Sequence, residues 1–301
     1  MDSVYTVRAS PGEGLGCFAS TTILPGTLIL SETPLFSVAE PRSNSAVIAA
    51  FSSLADSQKT QYLSLYAQKT YKLKENGEEE EARVIDIFNS NAWQTGSKTS
   101  ICPLAARFNH SCIPNASFAF NPLTGKITIH AIVPIPSDTQ IKLSYERPYQ
   151  TTLSRRAKLS SYGFTCACPA CSDPTPSSDT RRARMVVLDA RIRTGRRQLW
   201  RRPVPKAALE LCRLLKEEGL VGEALGLAWH DAAVGWRRHG RVDMAVACAV
   251  KELEIAVTCF GRESSAVDVS TGFLLGLKGE MGRMGKAGVD VRAEEVEDAA
   301  C

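Results

Sequence analysis

Long apolar runs are missing from this chain of 301 residues. No segment approaches the ~18 consecutive apolar residues of a membrane helix, so a helical membrane protein is not expected, nor is a membrane partner. Histidine is scarce as well: there are 4, and His130, His230 and His239 stand at no ligand spacing, which argues against a histidine-rich metal centre. An excess of one charge is also lacking. Lys and Arg number 36 against 32 Asp and Glu, a formal net charge of +4, too mild to imply direct nucleic-acid binding. The opening residues MDSVYTVRAS carry no charged-then-apolar secretory pattern. Reduced thiols and a cytoplasmic or nuclear location are therefore expected. With 44% apolar and 23% charged residues the composition is that of an ordinary globular chain, and the length suggests about two domains.

What the chain does have is a cluster of thiols. YGFTCACPAC at 162–171 places Cys166, Cys168 and Cys171 within six residues. Three soft ligands at that spacing suit a tetrahedral zinc site whose fourth thiolate comes from elsewhere. Two cysteines qualify: Cys112 in RFNHSCIPN at 107–115, and Cys102. Disulfide stapling is the weaker alternative, since a chain of this length builds its core without it. Cys17, Cys212, Cys248, Cys259 and Cys301 are scattered singly and read as small buried apolar residues.

The organisation changes near residue 175. Before it, VYTVRAS, TLILSE, SFAF, KITIHAIV and IKLSY are β-branched or aromatic runs bounded by turn residues. NPLTG at 121–125 reads as the turn of an antiparallel hairpin. Residues 46–95 interrupt these strands with apolar residues at helical spacing (Ala46, Ala49, Ala50, Leu54, Tyr62, Leu65, Tyr66), and GEEEEAR at 77–83 reads as a solvated helix start or loop. DPTPSS at 173–178 is a Pro/Ser linker. Beyond it the chain is helical: Met185, Leu188, Ile192 and Leu199 keep an apolar stripe among nine arginines, which are expected to form a solvated basic face. Trp229, Ala232, Ala233, Trp236, Gly240, Ala245 and Ala249 follow the large-and-small pattern of a tetratricopeptide helix pair, of which one unit is visible.

A Gly-rich turn, SPGEGLGCFAS, precedes all of this, and alone it is weak. In the order SPGEGLG, PGTLILSE, RFNHSCIPN, IKLSYE, YGFTCACPAC, the chain resembles the SET-domain protein lysine methyltransferases over residues 1–171. The helical remainder is similar to that of the SET-and-MYND subfamily. No second cysteine cluster lies between Glu32 and Ser100, so the resemblance is to a version without the MYND finger.

The resemblance implies an α+β architecture: a β-rich SET domain at 1–160 with its helical insertion at 46–95, a zinc-binding post-SET segment at 161–175, and an all-α, TPR-like domain at 176–301. It selects Cys112 to join Cys166, Cys168 and Cys171 on zinc. It implies S-adenosylmethionine held by Glu13 and Gly14 of the loop, by Asn109 and His110 largely through backbone groups and the Asn side chain, by Asn91 of the insertion, and by Tyr162 and Phe164. Tyr145 becomes the active-site tyrosine. The partner implied is a lysine-bearing protein, histone or not, met by a monomeric enzyme; a catalytically silent SET scaffold is the alternative. Two departures stand out. Ser137-Asp138-Thr139-Gln140 replace the usual Gly-Glu-Glu lead-in, and Pro11 stands where many relatives carry a basic residue in the cofactor loop. The lysine channel is expected between the insertion, the end of LSYE and YGF, with the helical domain as one wall.

Overall fold

The computed structural model describes residues 3–69, 77–147, 149–197 and 204–285. Strands β1 (Tyr5–Ser10) and β2 (Gly14–Ala19) form an antiparallel hairpin. Its turn needs Gly12 and Gly14, with φ of 76° and 73°, a region that only glycine enters without steric cost. Strands β3 (Leu28–Glu32) and β4 (Phe36–Ala39) follow. The insertion then supplies α1 (Asn44–Ser52), α2 (Asp56–Leu63) and α3 (Gly77–Asn91). Ser43 caps α1 by accepting the Ala46 N–H at 3.2 Å, one of the donors a helix start leaves unpaired. The expected helical span to residue 95 is too long: α3 stops at Asn91, and β5 (Ala92–Thr95) begins at once and pairs with β6 (Lys98–Ile101). That pairing partner, not the local spacing, decides the conformation of 92–95.

The remaining strands are β7 (Asn109–His110), β8 (Ala116–Asn121), β9 (Lys126–Ala131) and β10 (Lys142–Leu143). They build a β3-β9-β8 sheet, a β4-β6-β5 sheet and a short parallel β10-β7 pair. The hairpin expected at NPLTG is present, with Asn121 Oδ1 accepting the Leu123 N–H at 2.9 Å and Gly125 at φ 67°. Ile127 and Ile129 alternate inward from β9 and, with Ile135, Ile141 and Leu143, are essentially without solvent contact. A second core joins Val47, Phe51, Tyr62, Ile87 and Phe88 of the insertion to Ile101 of β6.

Helices α4 (Thr152–Leu159) and α5 (Pro169–Ser172) lead to α6 (Pro176–Arg197), α7 (Val204–Glu217), α8 (Glu223–Arg238), α9 (Val242–Phe260) and α10 (Ser265–Gly285). The second half of the expected linker is therefore helix; Pro176 sits at the helix start, where a missing N–H costs nothing. Trp229, Ala232 and Ala233 of α8 pack with Ala245 and Ala249 of α9, and all five are buried. Met185, Leu188 and Ile192 hold the α6 stripe, while Leu199 and Cys301 lie outside the described residues. Arg182 corrects the solvated-face expectation: it is fully buried, its Nε donating to Glu218 Oε2 at 2.9 Å. The helices rest on the β3-β9-β8 sheet, where Gly261 lies so close to His130 that a Cβ would come within 2.7 Å of its Nε2.

Candidate active site and metal centre

The four cysteines singled out in the sequence do converge. The sulfurs of Cys112, Cys166, Cys168 and Cys171 all lie within 4.8 Å of one another, and all four residues are buried. Cys112 Sγ is 3.6 Å from Cys171 Sγ and 4.0 Å from Cys166 Sγ. A tetrahedron with Zn–S bonds of about 2.3 Å has edges of about 3.8 Å, so this donor set fits zinc. Cys102 is buried elsewhere and does not join the cluster. The thiols contend for protons: hydrogen bonds from Cys112 and Cys166 pull Cys168 down, and those to Cys166 and Cys168 push Cys112 up. Arg155, on α4, was not anticipated. It is buried, and its Nη2 donates to Ala170 O at 2.9 Å, to Thr152 Oγ1 at 3.1 Å and to Cys171 Sγ at 3.6 Å. A cation there offsets the net charge of −2 carried by four thiolates around a zinc ion. The only sequence signal was the Arg155-Arg156 pair preceding the cysteines.

His110 belongs to the same corner. Its Nδ1 accepts the Tyr145 N–H at 3.0 Å, which places the proton on Nε2, 3.2 Å from Cys112 Sγ. Burial pushes its pKa down to about 4, so the ring is neutral. Its side chain braces the thiol cluster against Tyr145, leaving its backbone for any other contact.

Tyr145, Tyr162 and Phe164 pack over that cluster. Ring centroids are 5.5 Å apart for Tyr145–Tyr162, 6.4 Å for Tyr145–Phe164 at 90°, and 6.1 Å for His110–Phe164. The Tyr145 hydroxyl donates to Phe108 O at 2.7 Å, and burial raises its pKa above the ordinary phenol range. The insertion approaches from the other side. Gln68 Nε2 donates to Ser161 O at 2.6 Å, and the Tyr66 hydroxyl lies 3.0 Å from where a Gly163 Cβ would stand. Asn91 is buried at the end of α3, and its amide donates to Tyr66 O at 2.8 Å and to Ile87 O at 2.7 Å. It thus ties the insertion loop down, with both amide hydrogens already used.

The Gly-rich turn closes the pocket. Asn109 Nδ2 donates to Leu15 O at 3.0 Å and lies 3.4 Å from Glu13 Oε2. Glu13 also receives Ser10 Oγ at 2.9 Å and Lys142 Nζ at 2.7 Å. Burial works against its charge, but those hydrogen bonds outweigh it and hold the carboxyl below the ordinary range. A side chain at Gly16 would crowd two amides: a Cβ would stand 2.4 Å from Gln140 Nε2 and 3.1 Å from Asn109 Nδ2. Gln140 Nε2 is itself buried with no hydrogen-bond partner, while the Cβ position of Gly14 meets nothing within 4 Å. A polar cradle with an orphaned donor and open space above it fits a polar ligand. Asp138, in the replaced lead-in, takes a glycine-like φ of 66° and is held by Arg8.

A Gly-rich hairpin, an Asn-His strand, a tyrosine strand end and a cysteine-stapled aromatic segment meeting at one pocket describe the SET fold. Residues 14–146 match the SET domain, and a helical C-terminal region follows them. It is similar to the histone-lysine N-methyltransferase set5 of Schizosaccharomyces pombe, 27% identical over 192 residues, which is 62% of this chain and 57% of that protein. It also resembles the SET domain-containing protein SmydA-8, isoform B, of Drosophila melanogaster (35% identical over 103 residues, 31% of this chain and 22% of that one). A third relative is the histone-lysine N-methyltransferase ATXR2 of Arabidopsis thaliana, 33% identical over 110 residues, 35% of this chain and 22% of that protein. The chain thus spans little more than half of the first relative and about a fifth of the other two.

Proposed function

We propose that this protein is an S-adenosylmethionine-dependent protein-lysine N-methyltransferase, a SET-and-MYND-type enzyme without the MYND finger. The observation that carries the reading is the cluster itself: a half-buried tyrosine at a strand end, packed with Tyr162 and Phe164, and a Gly-rich turn bonded to Asn109 with the orphaned Gln140 amide donor beside it. Two of the relatives are named histone-lysine N-methyltransferases. A lysine-bearing protein, histone or not, is accordingly the proposed substrate, with a cytoplasmic or nuclear setting.

The chain's residues suit the chemistry. S-adenosylmethionine, when bound, supplies an electrophilic methyl group on a cationic sulfur. Glu13, Gly14, Asn109 and the backbone at His110 would hold it, with Tyr162 and Phe164 as aromatic cover. Asn91 would contribute mainly by fixing the insertion loop. The lysine amine must be neutral to react, and with an unperturbed pKa of about 10.4 only about one in a thousand is neutral near pH 7.4, a cost of roughly 4 kcal/mol. An aromatic channel that excludes water lowers that pKa, and a nearby cation lowers it further. Tyr145 stays protonated, because burial raises its pKa. It is therefore a hydrogen-bonding group that orients the amine and not a base, so positioning supplies much of the rate. Zinc on Cys112, Cys166, Cys168 and Cys171 would fix the YGF segment, and with it two of the pocket's walls.

The rival reading, a silent scaffold, draws on the Glu13–Lys142 ion pair lying across the loop. Calorimetric titration with S-adenosylmethionine separates the two. Saturable one-to-one binding is expected; absence of binding by zinc-loaded, folded protein would favour the scaffold.

A further inference from the structure

Lys142 has no role in the reading above, yet its placement is particular. It and Asn109 are direct partners in the parallel β10-β7 pair, so their side chains leave the same face. Its neighbours Ile141 and Leu143 are fully buried, which turns Lys142 away from the core and toward the Gly-rich turn. There its Nζ reaches Glu13 Oε1 at 2.7 Å, with 22% of the Lys142 side chain and 30% of the Glu13 side chain still exposed. The pair is neither sealed nor free in solvent, and it sits at the base of an exposed turn where a Gly14 Cβ would meet nothing within 4 Å.

The turn has no cation of its own. SPGEGLGC carries only Glu13, and the nearest basic residue upstream, Arg8, is bonded to Asp138 and stacked 4.0 Å above the Phe18 ring. Among the described residues, Lys142 is the basic group bonded to the Ser10–Glu13–Asn109 cluster. A carboxylate and an ammonium side by side, next to an amide donor, match the amino-acid end of the cofactor, which carries an ammonium and a carboxylate on one carbon. Exchange of the internal pair for two external ones leaves no unbalanced charge in the cradle, so the partners can swap at little electrostatic cost.

Resting on the methyltransferase reading, we infer that Lys142 is the carboxylate anchor of the cofactor site: strand β10 supplies the positive charge that the loop lacks, and Lys142 selects ligands with an intact amino-acid end. It is a specificity-determining residue, and Tyr145 chemistry does not involve it.

Two thioether nucleosides isolate this contact. S-adenosylhomocysteine and 5′-methylthioadenosine share the adenosine and the sulfur, and only the first has the ammonium and carboxylate. Calorimetry on the full zinc-loaded chain should show a wild-type preference for the first of at least tenfold. Lys142→Met should lose about 10- to 100-fold in affinity for S-adenosylhomocysteine and stay within about twofold for 5′-methylthioadenosine, which doubles as the check that the variant is folded. Lys142→Arg should restore most of the preference. Equal losses for both ligands, or an unchanged preference in Lys142→Met, would overturn the anchor while leaving the cofactor site standing. Failure of the wild type to bind either nucleoside would overturn the cofactor reading itself, and the anchor with it.

Discussion

Two polar clusters lie on either half of the chain from the four-cysteine corner, and they treat charge in opposite ways. In the helical half, Glu218 takes Ser178 Oγ at 2.6 Å, Arg181 Nε at 2.6 Å and Arg182 Nε at 2.9 Å, with the acid and Arg182 shut away from water. In the SET half, Ser10, Glu13, Asn109 and Lys142 make an equally dense set of bonds, yet their side chains line an opening and Gln140 Nε2 beside them is unmet. The closed cluster is a joint. The open one is a site. The difference is one of exposure: a charge network shut away from water fixes geometry, whereas one that stays partly open to solvent, with a buried amide donor unmet beside it, is arranged for a ligand.

Four substitutions sharpen that contrast, in falling order of effect. Cys171→Ser should remove the proposed metal, loosen 162–172 and abolish methyl transfer, because structural zinc sites contribute on the order of 10 kcal/mol and Tyr162 and Phe164 pack against these cysteines. Elemental analysis and limited proteolysis would show it; retained zinc with an intact segment would contradict the assignment. Glu218→Gln comes next, at about 3 kcal/mol, since it leaves Arg182 buried without its counter-charge. Chemical denaturation measures this, and loss of stability without loss of nucleoside affinity is the expected signature of a joint.

The same residue predicts a pH dependence. Burial pushes the Glu218 carboxyl up, but its bonds to Ser178, Arg181 and Arg182 outweigh that and hold it below the ordinary range. Its contribution is therefore complete above about pH 4.3 and disappears as pH falls through the lower folded value. Acid titrations of stability should be less steep for Glu218→Gln; an identical slope would show that the carboxyl is not linked. Gly16→Ala follows, at about 1–3 kcal/mol of strain, and should weaken nucleoside binding because the Gln140 and Asn109 amides must move aside. Smallest is Arg184→Ala, which breaks a half-exposed pair with Glu210 and should change stability by less than about 1 kcal/mol.

The two clusters also differ in how far they were legible in the sequence. Three of the four clustered cysteines stand at short spacing, with Cys112 beside Asn109-His110, so the residue types carry their metal-binding character on their face. Strands with clean alternation, such as KITIHA, were equally plain. Lys142 was not: it sits inside a strand-like run, and Glu13, which gives it meaning, lies 129 residues away. Arg182 was hidden for the same reason, since among nine arginines only the fold picks out the one fully buried against Glu218, 36 residues on. Strand β2, with the glycine-rich sequence GLGCFA, has little β propensity and forms because β1 pairs with it. Asn91 shows a further limit: the resemblance placed it at the cofactor, and only the fold shows that its amide also ties Tyr66 and Ile87.

The central claim is that Tyr145 and its aromatic walls transfer a methyl group to lysine. Labelled methyl transfer from S-adenosylmethionine to protein lysines, compared between wild type and Tyr145→Phe, tests it most directly. The account predicts transfer by the wild type and about a hundredfold slower turnover in the variant at unchanged cofactor affinity, the mark of an interaction made mainly in the transition state. Equal turnover by the two proteins on the same lysine substrate would contradict it.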